Sequence, residues 1–387
     1  MIGSGPSGLI AADTLSAAGI PVTIAEAKPS AGRKFLMAGK SGLNITKDET
    51  FDSFLQSFYD RQTSLHPILK AFQAKDVIAW AHELGSETFS GSTKRVFPKA
   101  MKASPLLRAW LSRLSNQGVQ LETKWRWISG DGSAFVFDTP DGPQTLYPDV
   151  TILALGGASW PKLGSDGAWT SWFAGKNIPL APFTSCNVAI NVNWSNHMNK
   201  QFGKPLKAVA FLTCARKVRG EAVISKKGLE GSGIYEIARD LRQNRDLKID
   251  LLPDWSVEKI ASALSKPKGK ASQSNFWRKA LKLRPEKQAI LHEFGYPLPS
   301  EALDLATLLK SLPVLHAGLR PIEEAISTGG GIPFDEMDDG LMLKSVPGVF
   351  CAGEMLDWEA PTGGYLISAA LATGRWAGVK AIDYLKK

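Results

Sequence analysis

Apolar positions along this 387-residue chain recur with two periods, and where the period changes is the first structural signal. After a Gly-rich opening, residues 9 to 18 are rich in Ala and Leu and predict a helix that Gly19 stops. Pro21-Val22-Thr23-Ile24-Ala25-Glu26 reads as a β-branched strand ending in an acid. Residues 50 to 90 predict helix, with Phe51, Phe54, Leu55 and Phe58 striping one face, and a further helix runs from 104 to 116. Between 118 and 153 the period becomes two. Val119, Leu121, Thr123 and Trp125 alternate, and Asp131-Gly132 and Asp141-Gly142 mark turns, which together predict a small antiparallel meander. Val150 to Leu155 is apolar but for Thr151 and ends on Gly156-Gly157, the pattern of a buried strand.

From 187 to 314 the texture shifts to short strands (188 to 192, 208 to 214, 222 to 224) followed by charged helices. Glycine-ended apolar pieces then return at Ile326 to Ile332 and Val349 to Gly353, and a last helix starts near Gly364. This order predicts an α/β fold with three segments. Residues 1–186 and 315–387 form one discontinuous domain, and 187–314 form an inserted, smaller domain of mixed strands and helices.

Composition narrows the class. The chain is 44% hydrophobic with 12 Trp, 17 Phe and 6 Tyr, too apolar and aromatic for a disordered chain. No apolar run approaches the ~20 residues that span a bilayer, and the opening segment lacks the basic start of a leader peptide. Three scattered cysteines, 186, 214 and 351, form neither a disulfide framework nor a C-x-x-C site, and no His/Cys/Asp spacing predicts a metal. A soluble, cytoplasmic protein is the expectation. The net charge of +9 is unevenly placed: residues 200–290 carry 21 Lys and Arg against 9 Asp and Glu, a local +12 that leaves −3 elsewhere. The insert is therefore where a polyanion such as RNA would dock. Lys266, Lys268 and Lys270 followed by Phe276-Trp277-Arg278-Lys279 interleave charge with aromatic surface, although an amphipathic helix burying both rings gives the same letters.

The chemistry is concentrated in the glycines. Gly3-Ser4-Gly5-Pro6-Ser7-Gly8, followed by a helix, a strand and an acid 18 positions beyond Gly8, is the spacing of a dinucleotide-binding βαβ unit. Gly3 permits the tight turn, Gly5 lets backbone approach a diphosphate and Gly8 lets the helix pack closely on the sheet. Ser7 lies in the first helical turn, where free amides face the phosphates. Glu26 is placed to accept from the ribose hydroxyls, which favours FAD or NAD over NADP. Only Met1 and Ile2 precede the first glycine, whereas strands commonly run about five residues. Either translation starts upstream or the central strand is stunted, and a stunted strand would weaken cofactor retention.

Residues 29 to 47 follow the acid. Arg33, Lys34, Ser41 and Asn44 are candidates to donate to phosphate or to a flavin edge. Gly156-Gly157, Gly353-Glu354 and Gly363-Gly364-Tyr365-Leu366 complete the candidate cofactor residues, the last at the start of a helix whose positive end suits a reduced flavin.

Taken in order, Gly3-x-Gly5-x-x-Gly8, Gly32-Arg33-Lys34-x-Leu36-x-x-Gly39, Leu155-Gly156-Gly157-x-Ser159-x-Pro161, Ser327-Thr328-Gly329-Gly330-Gly331 and Ala352-Gly353-Glu354-x-x-Asp357 with Gly363-Gly364-Tyr365 carry a resemblance over nearly the whole chain. The sequence resembles the bacterial flavoproteins of the BaiN/RdsA type, also called aminoacetone-oxidase-like, a family of NAD(P)/FAD-dependent oxidoreductases. Where that family commonly reads G-x-G-R-C-N, this chain has Lys40-Ser41-Gly42-Leu43-Asn44, which marks a divergent subgroup. The resemblance implies a glutathione-reductase-like, Rossmann-like FAD-binding domain split by an insert. It implies FAD as cofactor and hydride transfer to a substrate that differs among members: small amines, steroids or bile acids, or a uridine of ribosomal RNA.

Flavin chemistry asks the protein mainly for orientation and electrostatics. Tyr365 and Arg320 are the candidate proton donor and anion anchor, and His316, four residues before Arg320, is the one histidine placed for a site role. With no second G-x-G-x-x-G, NAD(P)H as transient electron donor would have to dock without its own Rossmann module, and dioxygen is the open alternative as oxidant. Three functions stay open at this point: an FAD-dependent oxidoreductase acting on a small molecule, a flavoenzyme reducing a uridine in ribosomal RNA, and a degenerate, non-catalytic flavoprotein. Sequence fixes neither the substrate nor the oligomeric state.

Overall fold

The computed structural model describes residues 1–40 and 42–387. They divide into two compact units, Met1–Thr184 with Ile326–Lys387, and Ser185–Ala325.

The first unit is built on a parallel sheet. Strand β1 (Thr23–Glu26) pairs in parallel with Gln120–Thr123, and Thr151–Leu153 pairs in parallel with Val349–Cys351. Met1 to Gly3 fill the space between these pairs. Gly3 N donates to Ala25 O (2.9 Å) and Ala25 N to Met1 O (2.9 Å) on one side, while Ile2 N donates to Ile152 O (3.0 Å) and Ala154 N to Ile2 O (2.8 Å) on the other. The three residues therefore work as a bonded central strand despite their brevity. Gln120–Thr123, expected as the first strand of the meander, belongs to this sheet instead. The antiparallel meander itself is Arg126–Gly130, Phe135–Asp138 and Gln144–Leu146. Alternation alone cannot distinguish the two partners, because a half-covered edge strand of a parallel sheet also alternates.

The expected helix over 50 to 90 is three helices, Phe51–Gln56, Gln62–Ala71 and Ala74–Glu83, and then strand, not helix. That strand belongs to a small antiparallel sheet of β2 (Thr46–Lys47), β3 (Thr88–Ser90) and β4 (Arg95–Pro98), ordered β2-β4-β3.

Two helices lie together against the sheet: α1 (Pro6–Ala17) and the long helix Tyr365–Leu385. Their approach depends on Gly374 and Gly378. A Cβ on Gly374 would lie 2.2 Å from Ser7 O, and one on Gly378 would lie 3.0 Å from the Thr14 side chain. Behind α1, buried Asp13 accepts from Trp110 Nε1 (3.1 Å) and from Arg113, which ties the helix Ala103–Asn116 to it.

The second unit holds a six-stranded antiparallel sheet in the order Ile190–Asn191, Gly228–Glu230, Lys217–Ser225, Pro205–Leu212, Lys248–Asp250, Leu312–Pro313. It has its own core around Phe211, Ile224, Ile234, Ile249 and Ile290. Two buried acids absorb part of its positive charge. Asp240 pairs with Arg216 (2.7 Å) and Arg245 (2.9 Å), and Asp250 with Lys217 (2.9 Å) and Lys310 (2.7 Å). Lys287 is buried, its Nζ donating to Ala208 O (2.8 Å) and Leu251 O (2.6 Å), and desolvation lowers its pKa to about 8. Trp277 is buried and Phe276 packs on the same core, so the amphipathic-helix reading of that segment holds.

Ala forms helix better than Gly by about 1 kcal/mol, so Gly374→Ala on an open helix would stabilise. Here the overlap with Ser7 O reverses the sign, and the substitution is expected to cost about 1–3 kcal/mol in urea unfolding. A gain in stability would contradict the close approach of the two helices.

Candidate cofactor site

The turn between Ile2 and α1 makes each glycine of the fingerprint do a different job. Gly3 has φ +99°, and a Cβ there would sit 2.4 Å from Ala154 O. A Cβ on Gly8 would sit 2.0 Å from Gly3 O. Gly5 differs: its backbone (φ −72°, ψ −179°) suits any residue, yet nothing lies within 4 Å of where its Cβ would be. The first two glycines are needed by the fold, and the third keeps open the space before the helix N-terminus. No side chain caps that end, Pro6 opens the helix and its first turn has no acid, so its free amides and positive dipole end suit an anion.

Glu26 holds this turn. Its Oε2 accepts from Ser4 N (3.1 Å) and Ser4 Oγ, and its Oε1 accepts from Lys28 N (2.7 Å). A carboxylate offers about four acceptor positions, so one is left for a ribose hydroxyl. Ser7 is buried against Gly353, where a Cβ would lie 2.2 Å from Ser7 Oγ, and Gly353 has φ +84°. The fold thus brings Gly3, Gly5, Ser7, Gly8, Glu26 and Gly353 together.

A second group forms around an ion pair. Lys34, in the first turn of α2 (Arg33–Ala38), donates to Glu354 Oε2 (2.6 Å) and Ser159 Oγ (2.7 Å), while Glu354 Oε1 accepts from Thr328 N (3.0 Å). Gly157 lies flat on Thr328, whose Oγ1 would be 1.8 Å from a Cβ at Gly157. Gly156 (φ +71°) faces Ser165 Oγ, 3.1 Å from its Cβ position. Lys34 and Glu354 hold each other and clamp four separate glycine-rich segments. Ser159, Thr328 and Ser165 were not among the sequence candidates; closeness to the Gly-Gly and Gly-Gly-Gly runs was the signal for the first two, and Ser165, in the turn-rich loop beyond, had none.

The third group lies at the start of the helix Tyr365–Leu385. Gly363 and Gly364 have φ +116° and +110°, and a Cβ on Gly364 would lie 2.4 Å from the Thr46 carbonyl. Buried Tyr365 accepts from Lys47 Nζ (2.6 Å) and donates to Glu49 Oε1 (2.6 Å), and Lys47 closes the ring on Glu49 Oε2 (3.0 Å). Leu366 is partly buried beside it. Burial and the Glu49 carboxylate raise the Tyr365 pKa above the usual phenol value. For Lys47, burial opposes the charge, but its bonds to Tyr365 and Glu49 outweigh this and raise its pKa. Nothing in the sequence links position 47 or 49 to 365, so this ring was beyond reach of motif reading.

Arg33 donates to Ser30 Oγ (3.3 Å), but among the described residues its buried Nε finds no partner, nor do Asn44 Oδ1 and Ser165 Oγ. Ser41 lies outside the described residues. Three orphaned polar atoms in buried settings, together with the open cradle at Gly5, fit a large polar ligand such as FAD. The other two catalytic candidates lie in the second unit. Arg320 is bound by Glu230 (3.1 Å), Ser225 Oγ and Glu324 (3.5 Å), and His316 Nδ1 accepts from Gly318 N (3.2 Å). Burial lowers the His316 pKa and keeps the ring neutral. Among the described residues no helix is long and apolar enough to cross a membrane.

A short parallel sheet, a glycine turn on a helix N-terminus and an acid at the end of the next strand define a Rossmann-type FAD-binding domain, and the class is that of the flavin-dependent oxidoreductases. The chain belongs to the family described as HI0933-like protein Rossmann domain, which matches residues 1–380. It is 26% identical to 3-dehydro-bile acid delta(4,6)-reductase of Clostridium scindens, over 99% of this chain and 98% of that protein. It is 22% identical to ribosomal RNA dihydrouridine synthase of Haemophilus influenzae, over 94% of this chain and 93% of that protein. The open conformation of a flavocytochrome c3 fumarate reductase superposes with a TM-score of 0.54 at 14% identity, covering 100% of this chain and 78% of that one, a likeness of fold alone.

Two outcomes follow from the site. Gly5→Asp supplies a better N-cap and an acid at a helix start, so the apoprotein is expected to keep or slightly gain stability while FAD affinity falls at least about tenfold. Thermal melts and flavin titration read the two effects separately. A folded-state phenol pKa above the unfolded one means that stability held below about pH 10 is lost as pH rises through the raised value. Tyr365→Phe is expected to flatten that alkaline loss, measured by melts between about pH 9 and 11.

Proposed function

We propose that the protein is an FAD-dependent reductase that delivers a hydride to a small-molecule substrate, with NAD(P)H as the electron donor. The observation that carries this reading is the open space at Gly5 before an uncapped helix N-terminus, held by a turn whose other glycines are packed solid. Gly5, Ser7 and Gly8 would hold the diphosphate, Glu26 a ribose, and Arg33, Asn44 and Ser165 the remaining polar edges. FAD, when bound and reduced, supplies the hydride. The chain's own part is to orient the substrate and to supply the matching proton. The Lys47–Tyr365–Glu49 ring holds a proton at a fixed place, and Lys47, with 26% of its side chain exposed, is its most open member for exchange with solvent. The names of both full-length relatives describe reductions, which supports a reductase over an oxidase.

A second reading, reduction of a uridine in RNA, is favoured by one surface feature. Residues 259–285 hold eight Lys and Arg and no Asp or Glu, and all eight cations are exposed. Such a run attracts phosphate in a salt-dependent way. The buried Trp277 offers no stacking platform there, so this surface would act through charge.

The purified protein is expected to carry or take up FAD, and anaerobic NADH or NADPH to bleach its visible absorption band. A protein that stays colourless after FAD addition overturns both readings. Salt-sensitive binding to ribosomal RNA fragments, lost when Lys266, Lys268 and Lys270 are changed to Glu, would favour the second over the first.

A further inference from the structure

The β2-β4-β3 sheet has one buried face and one partly exposed one. Thr46, Val96 and Pro98 point inward and are buried. On the opposite face stand Lys47 and Arg95, which are paired across the β2–β4 ladder, and Phe97 and Phe89, which are paired across β4–β3. Arg95 and Phe97 are two apart on β4, so all four side chains leave the same side. Phe89 and Phe97 stack, with ring centroids 5.6 Å apart and planes inclined by 21°. Phe89 is 42% exposed, and Met101, 40% exposed, continues the apolar surface: its Cε and Phe97 Cε1 lie 2.9 and 3.7 Å from the Cβ position of Gly42.

Folding accounts for only one of the two cations. Like charges directly opposite on a ladder destabilise it. Glu49 answers Lys47, but among the described residues the Arg95 side chain has neither a salt-bridge partner nor a hydrogen bond. Its guanidinium lies over Gly363, with Nε 3.1 Å from that residue's Cβ position, beside the Lys47–Tyr365–Glu49 ring. One positive charge is thus left uncompensated at the end of an exposed aromatic slab.

We infer that this face binds the substrate, and that the substrate is an apolar molecule bearing a carboxylate. Arg95 takes the carboxylate in a charge-assisted, forked hydrogen bond, and Phe97, Phe89 and Met101 cover the apolar body. Gly42 and Gly363 border the face and belong to the segments assigned to the flavin edge, so the inference rests on the proposed function for its chemistry, though not for its binding. An alternative source of negative charge is the flavin ring itself on reduction, and the experiment separates the two.

The probes are cyclohexanecarboxylate and its uncharged counterpart cyclohexanecarboxamide, with binding read by thermal shift and by perturbation of the flavin spectrum. The carboxylate is expected to bind at least about tenfold more tightly than the amide. Arg95→Gln should abolish that preference, and Phe89→Ala, at an exposed position that leaves folding intact, should weaken both probes alike. Equal binding of the two probes, or a preference that survives Arg95→Gln, overturns the inference. So does an Arg95→Gln protein whose flavin midpoint potential shifts while the preference persists, because the charge then serves the flavin. Should the protein hold no FAD, the proposed function falls, while thermal shift with the two probes still decides this inference.

Discussion

The cofactor end of the first unit depends on one contact: backbone against backbone at the turn after Ile2. Gly8 meets the Gly3 carbonyl, Gly3 meets the Ala154 carbonyl and Gly374 meets the Ser7 carbonyl, each at a distance that leaves no room for a methyl group. These contacts set the height of α1 above the sheet and hence where its N-terminal amides point. Met1 to Gly3 are bonded on both sides, so their position comes from the neighbouring strands as much as from their own length.

Around that turn, polar groups divide into those that satisfy one another and those that, among the described residues, have no partner. Lys34 and Glu354 satisfy each other and hold Ser159 and Thr328, which joins segments more than three hundred residues apart in sequence. Charges held in such a half-buried pair resist rearrangement, since removing either leaves the other uncompensated. Arg33 Nε, Asn44 Oδ1 and Ser165 Oγ have no such partner among the described residues. The contrast separates scaffold from contact more sharply than residue type does, because both sets look alike as polar letters in glycine-rich segments.

The second unit shows the same division in its charge. Asp240 and Asp250 each gather two cations inside the unit. The acid-free stretch 259–285 keeps all of its cations outside. The local excess of positive charge is therefore narrower than the insert as a whole.

The sequence by itself determined the class of fold and the phosphate turn. These depend on glycine at fixed spacing, a helix stop and a terminal acid, all of which act within about 30 residues of chain. Gly156-Gly157, Gly353 and Gly363-Gly364, expected from sequence beside the cofactor, lie where a Cβ would crowd a neighbouring group, and all but Gly157 have a positive φ. Tertiary structure alone decided that Gln120–Thr123 joins the parallel sheet, that Lys34 and Glu354 clamp each other, and that Tyr365 sits between Lys47 and Glu49. It alone showed that the Arg95 side chain stands unpaired among the described residues, beside a stacked aromatic pair of which Phe89 is exposed. Each of these is a meeting of side chains or strands far apart in sequence, and the physical reason is simple: period and spacing report on neighbours along the chain, whereas charge compensation and pairing are settled by neighbours in space.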